Sequence, residues 1–315
     1  MHEHSSVMRS SLAHLPDRKQ RELARVVEIL LEELEDALCG GTADFKKKGR
    51  ILKIILFGSY ARGDWVDEPH TMKGYRSDYD LLIIVNNRKL TDFAAYWSNA
   101  RERLLRDRGV KTPTSFIVHS RREVNTALRE GHYFYSDIRR DGIVLYELDD
   151  EPLAEPKLLS AEQAHRAAKE NFESRFPAAT RRLVGFRFEL DKAKNNREWG
   201  KDAAFSLHQA IEHAYAALLL TLTNYSPPSH NLQFLRSLAE DQDRRLAEIW
   251  PRDQRRFIAW FNTLNEAYVK ARYSKHYDIN QEALAWLGER TTKLHRLVEQ
   301  VCEERLAQFR QAAKP

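Results

Sequence analysis

The chain has 315 residues, of which 42% are hydrophobic and 31% charged, so it is long enough for two domains and too apolar to be disordered. Its formal charge of +5 permits contact with nucleotides or nucleic acid without requiring it. No apolar run reaches the length of a membrane span, the N-terminus lacks a signal-peptide pattern, and Cys39 and Cys302 lack metal-ligand spacing. We expect a reduced, cytoplasmic protein that makes no membrane contact.

The first half of the chain alternates between strand and helix patterns. Apolar residues at helical spacing predict a helix over 16–38. The segment 63–77 contains Asp, Pro and Gly without periodicity, which predicts a loop. The other predicted elements are a strand at 51–57, a strand at 81–85, a helix over 90–108, a strand at 115–118, a helix over 122–129 and a strand at 142–146. This alternation predicts an α/β domain over residues 1–150.

The second half of the chain loses its strand signals. An acidic stretch with two prolines at 149–156 is typical of a linker, which we place at 151–159. Residues 160–315 then carry helical patterns, and Ser160, Ser229 and Asn280 stand where they can cap helices. The predicted helices are 161–175, 178–197, 202–224, 230–240, 253–271 and 281–309. The pattern predicts an all-helical bundle.

Polar residues lie next to two predicted strands of the first domain. Gly58-Ser59 follows the strand at 51–57, and Asp78 and Asp80 enter the strand at 81–85. Residues i and i+2 of a strand project to one face, so the two carboxylates converge. Carboxylates that close together repel unless a cation lies between them, and a Gly-Ser turn at the start of a helix favours phosphate. These residues predict a divalent metal site beside a phosphate-binding turn.

Gly58-Ser59-Tyr-Ala-Arg62-Gly63 and Asp78-Tyr79-Asp80 resemble the motifs of the DNA polymerase β-type nucleotidyltransferases, and within them the minimal nucleotidyltransferases of prokaryotes. The resemblance covers about residues 15–147. It implies an α+β fold, a mixed sheet with helices on one side. It implies Mg²⁺ held by Asp78 and Asp80, a nucleoside triphosphate (ATP by resemblance) bound at Gly58, Ser59 and Arg62, and transfer of a nucleoside monophosphate to a hydroxyl.

The chain departs from this family in two respects. The spacer between the two motifs is longer than usual, so residues 64–77 are interpreted as an insertion over the site. Active members usually carry a third carboxylate on a neighbouring strand, but the strand from Thr114 to His119 contains no acid. Ser115 or His119 would take that place, and His119 is a candidate general base. Glu123 and Asp137 are near in sequence but outside the expected strand.

Three fragments of the second half resemble the HEPN domain, a helical bundle often found beside minimal nucleotidyltransferases. They are Leu207–Glu212, Pro228–Leu232 and Glu266–Tyr277. The resemblance implies a homodimer through the helical domain and a candidate ribonuclease site at Arg272, His276 and Tyr277. The alternative interpretation makes Arg272 and Tyr273 the structural end of a helix and His276 a loop residue. His208 and Glu212 share one helical face, but without a second ligand pair we predict local hydrogen bonds there and no metal.

The leading hypothesis is a magnesium-dependent nucleotidyltransferase that moves AMP from ATP to an acceptor hydroxyl. In related paired systems the acceptor is a tyrosine of the HEPN partner, which makes Tyr273 and Tyr277 candidates here. The alternatives are a HEPN endoribonuclease toxin or defence protein with a regulatory nucleotidyltransferase-like domain, and a catalytically silent nucleotide sensor. An RNA, protein or small-molecule acceptor such as an aminoglycoside is compatible with the sequence.

Overall fold

The computed structural model describes residues 8–67, 77–196 and 198–313. It divides into two compact units, with the boundary between Leu158 and Leu159. The middle of the predicted insertion, residues 68–76, lies outside the described residues. None of the helices that the structure describes is long and apolar enough to cross a membrane.

The first unit contains a mixed sheet, which confirms the predicted α+β fold. In the described residues the sheet has four strands in the order β3-β2-β1-β4, where β2 and β3 are parallel and β1 is antiparallel to both of its neighbours. The strands are β1 (Ile51–Phe57), β2 (Tyr79–Val85), β3 (Thr114–Ser120) and β4 (Ile143–Glu147). The helices of this unit are α1 (Asp17–Leu38), α2 (Asp44–Lys47), α3 (Gly58–Arg62), α4 (Phe93–Tyr96), α5 (Ser98–Arg106), α6 (Arg121–Glu130) and α7 (Tyr133–Asp141).

The two faces of the sheet are both covered, because every residue of β1 and β2 is buried. Alternate residues of β2, from Tyr79 to Val85, belong to the core that includes the apolar face of α1. On the other face, Phe57 packs against Phe134 of α7 with ring centroids 5.4 Å apart. Helices therefore cover both faces, and the expected one-sided arrangement is wrong. Asp80 belongs to the second face because it alternates with the core residues Tyr79 and Leu81.

The second unit is all-helical in its described residues, as predicted. Its central helix, α9, is buried along nearly its whole length. The helices are α8 (Ala161–Ala193), α9 (Trp199–Thr223), α10 (Leu232–Gln242), α11 (Arg255–Asn265), α12 (Ala267–Tyr273) and α13 (Gln281–Ala312). This arrangement confirms a helical bundle after an α+β unit.

Several predicted helix boundaries are wrong for local reasons. The two helices predicted on either side of Pro177 are one helix, because buried Phe176 and Ala179 hold the chain against the bundle on both sides of the proline. The region predicted as 253–271 is interrupted at Glu266, between α11 and α12. Asn231 caps α10 in place of Ser229, whose hydroxyl accepts from the Asn231 N–H. The helix predicted over 90–108 is divided into a 3₁₀ turn, α4 and α5.

Two predicted caps are confirmed. The Ser160 side chain accepts from the Gln163 N–H in a reciprocal capping box at the start of α8. Asn280 accepts from the Ala283 N–H at the start of α13.

Candidate active site

A tight turn joins β1 to α3. Gly58 follows Phe57 with a φ of +72°, and Gly63 ends α3 with a φ of +89°. Both values lie in the left-handed region, which glycine adopts without the steric cost that a Cβ would add. Between them, the Ser59 carbonyl accepts from the N–H groups of Gly63 (2.9 Å) and Asp64 (3.1 Å). The turn therefore depends on the two glycines at the ends of the segment 58–63, Gly58 and Gly63.

The sheet register places the carboxylates beside this turn. Asp80 is the antiparallel partner of Phe57, the last residue before Gly58. Asp80 is only 2% exposed, whereas Asp78, two residues earlier at the mouth of the strand, is half-buried. Burying a carboxylate is costly without compensating charge, and oxygen ligands of this kind are those that Mg²⁺ prefers. The structure thus gathers Gly58, Ser59, Asp78 and Asp80 at one end of the sheet.

Ser115 occupies the strand position next to Asp80, as the two are direct partners in the parallel β2–β3 pairing. His119 instead pairs with Ile84, four residues along β3 and roughly 13 Å from Ser115. Of the two residues considered for the third acid, only Ser115 is therefore placed for that role, and the prediction for His119 is wrong. The His119 ring packs edge-on against Tyr135, and burial lowers its pKa.

The two nearby acids have different surroundings. The Glu123 carboxylate accepts from the Ser120 N–H (2.9 Å) and hydroxyl (2.8 Å), which closes the capping box of α6. Asp137 lies on α7 with 49% of its side chain exposed, and its carboxylate is 2.9 Å from the Arg140 guanidinium. Burial raises the Asp137 pKa, whereas the charges of Arg140 and Arg62 oppose that rise. Glu123 is therefore structural, and Asp137 is the acid that shares its surroundings with Arg62.

Arg62 lies at the C-terminal end of α3 with 36% of its side chain exposed. Its guanidinium is 3.4 Å from the Asp64 carboxylate, and its charge also helps to lower the pKa of Asp141. A cation at the end of the Gly-Ser turn is well placed to bind phosphate. Arg62 also interacts with the carboxylates of Asp64 and Asp141.

A buried polar network, which the sequence did not reveal, links the two motifs. Lys19 of α1 is 2% exposed. Its ammonium donates to the Tyr60 hydroxyl at 2.9 Å and to the Thr112 hydroxyl at 2.6 Å. It also lies 3.4 Å from the Asp67 carboxylate. Tyr60 follows Gly58-Ser59 directly, so a helix 40 residues upstream is attached to the phosphate-binding turn.

Glu22 completes this network one turn further along α1. It is 3% exposed, and its carboxylate accepts from the Thr112 hydroxyl at 2.7 Å and from the Thr112 N–H at 3.2 Å. Tyr79, the residue between Asp78 and Asp80, donates to the Lys19 carbonyl at 3.4 Å. Burial raises the Tyr79 pKa, so this hydroxyl stays protonated and available as a donor at neutral pH. In the sequence, the signal that could have indicated this network was the presence of charged residues on the apolar face of α1.

The described ends of the predicted insertion fold back onto the motif. Trp65 stacks on the Tyr60 ring at 5.5 Å between centroids and 12° between planes. The Val66 N–H donates to the Ser77 hydroxyl at 3.0 Å, and the Ser77 N–H donates to the Val66 carbonyl at 2.8 Å. The insertion therefore begins and ends at one fixed point next to Tyr60.

In the helical unit, α12 ends at Tyr273, so Arg272 and Tyr273 are the last two residues of a helix. The Arg272 Nε donates to the Tyr268 carbonyl of the same helix at 2.8 Å, and its guanidinium lies over the Tyr268 ring at 4.5 Å. His276 follows in an exposed turn, where its N–H donates to the Ser274 hydroxyl. Tyr273 is 76% exposed, whereas Tyr277 is 6% exposed.

His208 and Glu212 form local hydrogen bonds, as predicted. The buried His208 ring donates through Nε2 to the His230 carbonyl at 3.0 Å. Burial lowers the His208 pKa to about 4, which keeps the ring neutral at pH 7. Within the part of the chain that the structure describes, no group of three or more His, Cys, Asp or Glu side chains is arranged to hold a metal ion.

Comparison with known proteins agrees with the two resemblances. Residues 42–117 match the nucleotidyltransferase domain model, and residues 187–304 match the HEPN domain model. A stretch of 39 residues is 56% identical to a protein of Methanocaldococcus jannaschii named "putative protein adenylyltransferase". That stretch spans 12% of this chain and 31% of the relative's length. The chain therefore carries a nucleotidyltransferase domain followed by a HEPN domain.

Proposed function

We propose that the first unit transfers AMP from ATP to a hydroxyl of a protein. The observation that supports this proposal is the pairing of Asp80 with Phe57, because it puts a buried carboxylate opposite the residue that precedes Gly58-Ser59. The domain family supports a transferase, and the name of the M. jannaschii relative supports an adenylyl group and a protein acceptor.

Each residue of the site has a role that follows from its chemistry. Asp78 and Asp80 would hold Mg²⁺, and the Ser59 hydroxyl and Arg62 guanidinium would bind phosphate oxygens. A bound Mg²⁺ would supply positive charge for the leaving pyrophosphate. The donor set of two carboxylates fits that ion, with nucleotide phosphates and water as further ligands.

The reaction needs one bond to form and one to break. The acceptor oxygen bonds to the α-phosphorus of ATP, the bond from that phosphorus to the bridging oxygen of the β-phosphate breaks, and pyrophosphate leaves. The acceptor proton passes to a carboxylate of the pair or to water. In this proposal the turn holds the triphosphate in line, and the site works mainly by positioning and charge.

Tyr273 is the tyrosine of the helical unit that we propose as acceptor. Its side chain is 76% exposed, so a nucleotide-bearing site can approach its hydroxyl from solvent. The Tyr277 hydroxyl donates to the Thr263 carbonyl at 3.2 Å, and burial raises its pKa. Modification of Tyr277 would require breaking that hydrogen bond and exposing a buried ring.

The test uses the full chain with Mg²⁺ and ATP labelled at either the α- or the γ-phosphate. Transfer of AMP puts the α-label on protein and the γ-label in pyrophosphate. Label from the γ-position on protein would indicate a kinase, and no label on any acceptor would indicate a nucleotide sensor. Either result would overturn the proposal.

A further inference from the structure

Positive charge in the first unit is concentrated at one end of the sheet. The segments 44–50 and 86–92 carry six cations against two acids, so they account for most of the chain's formal charge of +5. Arg88 is neutralised by the Glu123 carboxylate at 3.1 Å. The other five cations form no ion pair with any residue that the structure describes. We call these five residues the basic patch: Lys46, Lys47, Lys48, Arg50 and Lys89.

Two arginines of the same unit show the contrast. Arg25 lies 3.1 Å from the Asp107 carboxylate. Arg103 lies 2.9 Å from the Glu33 carboxylate and also pairs with Glu32. The fold therefore places acids beside these two arginines but leaves the basic patch without them. Charges of one sign within a Debye length, about 10 Å at 0.1 M salt, add to one another and attract an opposite charge.

The backbone that carries the basic patch is held in place. The Asn86 side chain donates to the Lys48 carbonyl at 2.7 Å and accepts from the Arg50 N–H at 3.1 Å. The Asn86 N–H donates to the Arg50 carbonyl at 3.2 Å. Gly49 is packed so closely that a Cβ there would lie 2.8 Å from the Leu38 side chain. A fixed loop therefore presents these cations, which lowers the entropy cost of binding.

Two aromatic rings lie within the basic patch, and lysines cover them. The Lys46 ammonium is 5.8 Å from the centroid of the Tyr96 ring, and the Lys89 ammonium is 4.9 Å from that of Phe45. A surface for single-stranded nucleic acid needs ring faces on which bases can stack, but here both rings are half-buried and an ammonium lies over each. Four of the five cations are lysines, which lack the planar fork that guanidinium presents to phosphate. These features favour carboxylates as the partner's charged groups.

We propose that the basic patch binds an acidic segment of another protein. A run of Asp and Glu side chains complements five cations that have no carboxylate of their own. The basic patch lies where β1 begins and β2 ends, whereas the Gly58-Ser59 turn lies at the other end of β1, roughly 20 Å away. The bound segment therefore leaves the candidate active site uncovered, and this surface does not depend on the proposed transfer of AMP.

The test measures the affinity of the full chain for a fluorescein-labelled polyglutamate peptide by fluorescence anisotropy. Lys47→Glu/Lys48→Glu reverses two exposed charges of the basic patch, and Arg181→Glu/Arg182→Glu is the matched control on the exposed surface of α8. Both variants have the same net charge. We expect the first to bind polyglutamate at least roughly tenfold more weakly than wild type, and the control to change affinity less than about twofold. Wild-type affinity should fall as salt is added.

Thermal unfolding of each variant checks its fold, and a single-stranded oligodeoxynucleotide is the competing probe. Weaker polyglutamate binding confined to the patch variant, together with weaker wild-type binding of the oligonucleotide, would support the proposal.

Three results would overturn it. The first is no binding of polyglutamate by the wild-type chain. The second is an equal loss of affinity in the two folded variants, which would mean that net charge alone attracts the peptide. The third is tighter binding of the oligonucleotide that the patch variant loses and the control keeps, which would identify a surface for nucleic acid.

Discussion

Tyr60 and Tyr79 meet in the core of the first unit with ring centroids 4.5 Å apart, and the Lys19 ammonium lies 5.1 Å and 5.7 Å from those two centroids. Tyr60 directly follows Gly58-Ser59, and Tyr79 lies between Asp78 and Asp80. Both rings are fully buried. The spacing between the phosphate-binding turn and the metal-binding carboxylates is therefore set on the face of the sheet opposite the carboxylates.

Thr112 tests this buried network with little change in volume. Its hydroxyl donates to Glu22 and accepts from Lys19, so Thr112→Val leaves two buried charged groups each without one hydrogen bond. We expect a loss of about 1–3 kcal/mol in the free energy of unfolding, measured with urea. Thr114→Val is the matched control and should change that free energy by less than about 1 kcal/mol. An equal effect of the two substitutions would contradict a structural role for the network.

Ser115→Asp tests the position of the absent third acid. Because Ser115 is the parallel partner of Asp80, an aspartate there would add a third carboxylate beside the other two. We expect the Mg²⁺ concentration for half-maximal label transfer to fall roughly tenfold, since affinity rises with ligand charge. Ser115→Asn supplies a neutral side chain of the same size and should not produce this fall. An unchanged or higher Mg²⁺ requirement in folded Ser115→Asp would mean that Ser115 does not face the metal.

Tyr273→Phe and Tyr277→Phe separate the two candidate acceptors. If Tyr273 is the acceptor, its substitution abolishes label on the protein, because phenylalanine has no hydroxyl. Tyr277→Phe removes a hydrogen bond to Thr263 and should cost about 1 kcal/mol of stability while the label remains. Mass spectrometry of the labelled peptide identifies the modified residue. Label that persists in Tyr273→Phe would place the acceptor elsewhere.

His295 makes the stability of the helical unit depend on pH. The ring is 6% exposed and donates to the Ala210 carbonyl at 3.1 Å, and burial lowers its pKa to about 4. The pKa of an unfolded histidine is about 6.5, so between about pH 6.5 and pH 4 the unfolded chain binds more protons than the folded chain. The contribution of His295 is therefore complete above about pH 6.5 and is lost as the pH falls towards 4. Buried His208 acts in the same direction.

Urea unfolding at pH 7 and pH 5 measures this effect. We expect the wild-type chain to lose about 2 kcal/mol more between these pH values than His295→Gln, which cannot take up a proton. An equal loss in the two proteins would show that His295 is not buried as a neutral ring.

The sequence predicted the parts of the site that depend on neighbours along the chain. Alternation along a strand was enough to place Asp78 and Asp80 on one face, and the turn after Phe57 needed only its glycine. The network of Lys19, Glu22 and Thr112 joins segments about 90 residues apart, and no local pattern records which charged residue of an amphipathic helix becomes buried. Likewise, packing against the bundle kept α8 continuous through Pro177.

Local sequence patterns also could not decide which residue occupies each functional position. The sequence placed Ser115 and His119 equally well, because strand register decides which residue lies beside Asp80. His208 and Glu212 were recognised as one helical face. However, the stack of His230 on Tyr268 joins two further segments of the bundle, so it was not predicted.

Transfer of the α-label by Asp80→Asn tests the central claim most directly, because Asp80 is the buried carboxylate beside the Gly58-Ser59 turn. Asp36→Asn, on the exposed face of α1, is the matched control. If Asp80 holds the metal for transfer of AMP, Asp80→Asn incorporates at least 100-fold less label than wild type or Asp36→Asn. Its unfolding temperature stays close to that of both proteins. Wild-type labelling by a folded Asp80→Asn protein would contradict the account.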